Sequence, residues 1–307
     1  MKAIQYKEYG KSDVIKYVEV PTPLIKSENE ILIQIKAAGV NPIDMKIRMG
    51  LMKTIRPVEM PYIPGGEASG VIVAVGEAVS EFKVGDEVIA LTKKHTYAQY
   101  VTATEDFVVL KPETLSFEEA AAVGVTIGTA QSVLFTEGQL KKGQKVLIQG
   151  GGGAVGGVMV QMAKSAGAYV IATASGKGVD LAKDLGADEV IDYKSQNVSE
   201  IIKDVDLVAD TAGGESQSEL FKVLKQGGAL LSIVAPPSQE LAAQYGVRAG
   251  FVVSDISAKT LQNGIDLIND GQFRTVVSKT FRLEDAATAQ DFLSAGGVNG
   301  KVVLIVE

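Results

Sequence analysis

The amino-acid sequence predicts an α/β protein with a β-rich first domain and a doubly wound parallel sheet in a second. Three observations carry that expectation. Short β-branched runs alternate with helical patterns from residue 145 onward, the signature of a parallel α/β layer. The first 120 residues instead hold apolar runs broken at short intervals by Gly, Pro, Asn and Asp. The length of 307 residues, 46% of them hydrophobic, is enough for two cores.

In chain order, the runs EILIQIKAAGV, ASGVIVAVGEAV, DEVIALT and QYVTA make the opening domain β-rich and partly barrel-like. Six strands are then expected at KVLI (145–148), YVIATA (169–174), EVIDY (189–193), DLVADT (206–211), ALLSIV (229–234) and FVVS (251–254). Between the first two of these, Val155, Val158, Met159, Met162 and Ala166 mark one stripe of a helix facing a sheet. LAKDLGA and ESQSELFKVLKQGG read as further helices, each closed by glycine. After residue 270 the pattern is strand, helix, strand, and this tail is expected to return to the first domain. The division is therefore 1–123 with 270–307, and 124–269 inserted between them.

Composition narrows the chemistry. The formal net charge of −7 and the lack of a Lys/Arg block leave no electrostatic footprint for nucleic acid or an anionic membrane. No apolar run reaches the roughly 18 residues of a membrane span, and the N-terminus has no apolar leader core, so a cytoplasmic location is expected. Cysteine is absent, which excludes disulfides and thiol nucleophiles. A single histidine, His95, cannot build the usual zinc ligand sets without thiolates, so no metal is expected; His95 itself reads as a loop residue.

The stretch LIQGGGGAVGG, residues 147–157, suits either a phosphate cradle or a flexible joint. Its context favours the cradle. Gly151, Gly153 and Gly156 satisfy G-x-G-x-x-G between a β-branched strand and an amphipathic helix opening at about Ala154 and Val155. Glycines let the backbone turn tightly and approach a pyrophosphate, whose charge then meets unpaired N–H groups at the helix start. An acid about 20 residues on would mark NAD. Here Ser175 stands 19 residues beyond Gly156 and Lys177 follows, a hydroxyl and an ammonium that suit a 2′-phosphate, so NADPH is the expected cofactor.

Together with the glycine loop, AAGVNPIDMKIRMG (37–50), PGGEASGVIVAVG (64–76), FKVGDEVIA (82–90), TAQSVL (129–134), LGADEVIDYK (185–194), DTAGGE (210–215) and GKVVLIV (300–306) resemble the zinc-independent medium-chain dehydrogenases/reductases of the quinone oxidoreductase type. The resemblance spans essentially the whole chain. It implies a GroES-like β-barrel, a Rossmann domain, a cofactor in the cleft between them and a homodimer. Zinc-dependent relatives carry His before the Glu of PGGEASG, where this chain has Gly66.

The implied reaction is hydride transfer from NADPH to a quinone or an α,β-unsaturated carbonyl. An alkenal or enoyl-type reductase shares that chemistry, and a non-catalytic NADPH-binding protein is the alternative. Implied site residues are Asn41 and Asp44, which also read as a turn and helix cap. Met52 stands where relatives often have Tyr, so Tyr62, just before PGGE, is the candidate hydroxyl source; it reads equally as a core-packing or supporting residue, with water as the other proton source. Toward the cofactor the resemblance implies Thr129, Tyr193, Gly213 and Lys301. Tyr193 and Lys301 read equally as a packed strand-end ring and a solvated lysine.

Overall fold

The computed structural model describes residues 1–92 and 95–307. The opening strands are β1 (Lys2–Gln5), β2 (Lys16–Glu19), β3 (Glu30–Val40), β4 (Glu67–Val75), β5 (Glu87–Leu91), β6 (Tyr100–Thr104) and β7 (Val108–Leu110). From Glu30 to Ala37 on β3 the alternation is strict: Ile31, Ile33, Ile35 and Ala37 are buried and the residues between them half-buried, after which the strand is buried throughout. Helix α1 (Pro42–Arg48) follows β3 with proline at its first position, where the missing N–H costs nothing. Helices α2 (Phe117–Ala120) and α3 (Gly124–Gln131) come next, α3 continuing into a π-helical turn at Ser132–Glu137.

The second unit holds β8 (Lys145–Gln149), β9 (Tyr169–Ala174), β10 (Glu189–Asp192), β11 (Val205–Asp210), β12 (Leu224–Ser232) and β13 (Arg248–Phe251). They pair in parallel in the order β10-β9-β8-β11-β12-β13. Val146, Leu147 and Ile148 of β8 are all fully buried, as a strand covered on both faces requires. Strand order reverses between β8 and β11, and in sheets of this kind ligands bind at the carboxyl ends flanking such a reversal. Helices α4 (Ala154–Ser165), α5 (Lys177–Asp184), α6 (Val198–Ile201), α7 (Ser216–Glu219), α8 (Gln239–Tyr245) and α9 (Ala258–Asn269) form the connections.

Two sequence expectations are corrected here. The helix read through ESQSELFKVLKQGG ends early: α7 passes into a 3₁₀ turn at Leu220–Val223 and β12 begins at Leu224, paired with Val205 across a register shift. The last strand is RAGF, not FVVS. Its partners Ala229 to Ser232 fix the register, and Val253 beyond it is 82% exposed, so apolar content alone misplaced an edge strand.

The chain then adds β14 (Val277–Arg282), α10 (Ala286–Ser294) and β15 (Lys301–Ile305). Strand β15 lies between β14 and β3, antiparallel to β3, and the described strands of this sheet run β14-β15-β3-β4-β5-β7 with β6 on β3. Its core joins Ile31, Ile33, Ile35, Ala68 and Val88 to Val302 and Leu304 from the tail. The compact units are Met1–Val125 with Ile256–Leu261 and Thr275–Glu307, and Thr126–Asp255 with Gln262–Arg274. Residues 256–261 thus group with the first unit, although 124–269 was expected to be continuous.

Candidate functional site

In the second unit the glycine loop leaves β8 at Gly150, whose φ of +79° is closed to most side chains. Gly151 N–H donates to the Thr173 carbonyl at 2.8 Å, and a Cβ there would stand 2.6 Å from Ala172 Cβ. A Cβ on Gly156 would fall inside the contact distance of the Gly150 carbonyl, so the first turn of α4 folds directly over the loop. Gly153 differs: a Cβ there would meet only the Gly150 oxygen, at 3.2 Å. It is the N-cap of α4 and caps it with no side chain, and helix geometry leaves the amides of Ala154, Val155 and Gly156 without intrahelical acceptors.

Beside the loop, Gln149 Oε1 is buried without a hydrogen-bond partner. An open cradle, unpaired donors and an orphaned acceptor at the strand reversal fit the diphosphate and hydroxyls of a dinucleotide.

At the tips of β9 and β10, Ser175 Oγ donates to Tyr193 Oη at 2.9 Å. The structure thereby brings together two residues that the sequence had singled out separately. Tyr193 is 55% exposed, so its ring is not a packed strand end, and Lys177 is exposed at the start of α5. Gly213, with φ +67°, lies in the loop after β11. That loop is shaped by Asp210, a strand-end acid that no sequence motif marked as functional. Its buried carboxylate accepts from the amides of Ala212 (3.0 Å) and Gly213 (2.7 Å), Gln217 Nε2 (2.8 Å) and Ser232 Oγ (2.8 Å). Thr211 Oγ1 donates to the Gln149 carbonyl at 2.6 Å, joining this loop to the glycine loop. Thr129 is buried on α3 with its hydroxyl 2.8 Å from Ser254 Oγ, and these contacts do not bring it to the glycine loop.

In the first unit, Asn41 caps α1 at the end of β3. Its backbone N–H donates to Asp44 Oδ2 at 2.9 Å, one half of a capping box. Its side chain is engaged elsewhere: Nδ2 donates to Glu67 Oε1 at 2.9 Å, and Oδ1 accepts from Lys301 Nζ at 2.6 Å. Lys301 also donates to Glu67 Oε1 at 2.5 Å, a pair only 4% and 0% exposed at the side chains. Glu67 Oε2 accepts from the Val125 amide at 2.7 Å. A Cβ on Gly39 would stand 2.5 Å from Glu67 Oε1, so glycine there makes room for the carboxylate. This corrects the reading of Lys301 as a solvated lysine: its ammonium is buried against Asn41 and Glu67.

Asp44 is buried as well, and Tyr97 Oη donates to its Oδ2 at 2.9 Å. Burial pushes its carboxyl up to about 6, against the pull of the Asn41 and Tyr97 hydrogen bonds and of Lys301. Asp44 thus ties the start of α1 to Tyr97 inside the first unit. Arg48, in the same segment, donates from Nε to Gln290 Oε1 at 2.7 Å and from Nη1 to the Gly10 carbonyl at 2.9 Å. Tyr62 packs with Tyr6 and Ile47, its ring 5.5 Å from Tyr6 and 6.2 Å from His95, and burial raises its phenol above the ordinary value. Met52 fills the side of the same cluster. His95 is a loop residue held at φ +75°, in a backbone region where a non-glycine residue is uncommon.

Among the described residues no group of three or more His, Asp and Glu could hold a metal ion, and no helix is long and apolar enough to cross a membrane. Residues 27–113 match the alcohol dehydrogenase GroES-like domain and residues 185–304 the zinc-binding dehydrogenase model. The quinone oxidoreductase of Mus musculus is 32% identical over 330 aligned positions, covering 100% of this chain and 98% of that one.

The chain belongs to the quinone-oxidoreductase-like medium-chain dehydrogenase/reductase family.

Within this family the chain is also similar to the 2-methylene-furan-3-one reductase of Solanum lycopersicum, 36% identical over 322 positions that cover 99% of this chain and 79% of the relative. Among solved structures, the Escherichia coli quinone oxidoreductase complexed with NADPH superimposes with a TM-score of 0.90 at 26% identity, covering 99% of this chain and all of that one. The Coxiella burnetii quinone oxidoreductase gives 0.91 at 33% identity, covering 100% and 99%. Family membership accounts for both units at once, the GroES-like sheet closed by the tail and the parallel sheet in its 3-2-1-4-5-6 order.

Proposed function

We propose that this protein is an NADPH-dependent reductase of quinones or α,β-unsaturated carbonyls. The observation that carries the reading is the second unit's constellation: an open glycine cradle after the central strand, with Ser175, Tyr193 and Lys177 at the neighbouring tips where an NAD site would place an acid. Gly151, Gly153 and Gly156 with the amides of Ala154 and Val155 would hold the diphosphate, and Gly213 would line the loop beside it. Ser175 and Lys177 would hold the 2′-phosphate, with Tyr193 alongside the ribose. When bound, NADPH supplies hydride to an acceptor that is already electrophilic, so the protein has no leaving group to activate.

The first unit then has to stabilise charge on the acceptor oxygen while one proton completes the reduction. We assign that role to Asn41, and water is the simplest proton source, because the Tyr62 phenol is buried and its acidity lowered further. The quinone and enone relatives both support this acceptor class, the enone reductase at the higher identity. By family resemblance we further propose a homodimer, which sedimentation would test.

The test of the reading is NADPH oxidation against a panel of quinones and enones; binding without turnover by any acceptor would leave only a cofactor-binding protein. Cofactor choice is tested with S175A/K177A. Loss of charge-assisted hydrogen bonds should weaken NADPH by roughly 10- to 100-fold and NADH by little. Equal losses for the two cofactors would refute the 2′-phosphate assignment.

A further inference from the structure

An asparagine amide can face either way, and only its partners decide which. Lys301 is a donor with nothing to accept, so the atom 2.6 Å from its Nζ must be the Asn41 oxygen. A carboxylate is an acceptor, so the atom 2.9 Å from Glu67 Oε1 must be the Asn41 nitrogen. Each partner alone would suffice, and both agree. One Nδ2–H of Asn41 is thus consumed by Glu67, and the second has no hydrogen-bond partner on the described residues. The residue keeps 6% of its surface exposed.

We infer that Glu67 and Lys301 are positioning residues that hold the Asn41 amide so that it presents an N–H, never its carbonyl, to the acceptor oxygen. The inference rests on the reductase reading for its substrate and on the buried triad for its geometry. A ligand met by that N–H must itself be a hydrogen-bond acceptor, which a quinone or enone oxygen is and an alcohol hydroxyl in its donor role is not. The Val125 amide adds a constraint. It donates to Glu67 Oε2, so a glutamine at 67 would turn its own oxygen toward Val125 and its Nε2 toward Asn41. With the Lys301 donor removed too, Asn41 has every reason to turn over.

The variant E67Q/K301M removes both charges of the buried pair together and should invert the amide. Its kcat with a quinone or enone is expected to fall about 100-fold, the order seen on removing one donor from a developing oxyanion. The dissociation constant for NADPH, read by fluorescence titration, should stay within threefold of wild type. K301R, which keeps a donor on Asn41 Oδ1, should retain kcat within tenfold. A double variant whose kcat stays within threefold of wild type would overturn the inference.

A second measurement needs neither turnover nor the double variant. In protein labelled with ¹⁵N at asparagine, the Asn41 side-chain amide should show one proton protected from solvent exchange and one that exchanges freely; two equally fast protons would overturn the assigned orientation. Wild-type protein that reduces no acceptor would remove the reductase reading while leaving the amide orientation to be decided by this spectrum.

Discussion

At Asp44 the cost of burying a carboxylate is visible in the direction of its titration. The folded-state value near 6 lies above the ordinary 3.8, so the folded protein binds a proton in the window between them and the unfolded chain does not. The resulting stability is present below about pH 4 and is lost as pH rises through 6. D44N has no such titration. Its stability relative to wild type should therefore improve between pH 4 and pH 7.5, by up to about 3 kcal/mol, in denaturant melts at each pH. A constant difference across that range would show that Asp44 is not perturbed. Glu67 and Lys301 sit a few side chains away with opposite logic, because each buried charge is neutralised by the other. K301M alone strands the carboxylate and should cost about 3–5 kcal/mol in urea unfolding, while E67Q/K301M should cost markedly less.

At the scale of the element, the loop between β8 and α4 separates glycines with no room for a Cβ from Gly153, which has room. G156A drives a methyl into the Gly150 carbonyl, with backbone on both sides and no flexible end to yield. It should lower stability by roughly 1–3 kcal/mol and weaken NADPH together with it. G153A meets a single oxygen at 3.2 Å and should unfold within about 1 kcal/mol of wild type, yet its methyl stands in the open cradle. Calorimetry should find NADPH weakened at least about tenfold by G153A with little change in melting temperature; unchanged affinity would place the diphosphate elsewhere.

Elements of this kind were legible in the sequence because their signals are local. A strand, six glycines and an amphipathic helix stand within 21 residues of one another, from Lys145 to Ser165. The Glu67–Lys301 pair was not legible. Its members lie 234 residues apart, and a contact of that range leaves no period to read. Lys301 in particular follows a glycine at the start of a strand, where a lysine usually reaches solvent. Only the pairing of β15 with β3 turns it inward. The edge strand β13 was misplaced for a related reason, since register with β12 outweighs local hydrophobicity.

At the scale of the whole molecule, the first unit is assembled from both ends of the chain around a second unit continuous over Thr126–Asp255. A chain ending at residue 299 would lose Val302, Val303 and Leu304 from the core, expose the β3 edge, and leave Glu67 buried without its lysine. Such a truncation should fail to form the first unit, seen as loss of β-structure by circular dichroism and as protease cleavage confined to that unit. Native-like resistance would mean that β15 is dispensable. The same arrangement orders events on the ribosome. Residues 126–255 emerge and can pack while β3 still waits for β15, the partner that is synthesised last. The parallel sheet is therefore complete before the first unit has acquired the lysine that hydrogen-bonds Asn41. While the 52 residues that follow Asp255 are completed, the nascent protein has a place for a nicotinamide cofactor and no finished place for anything to be reduced.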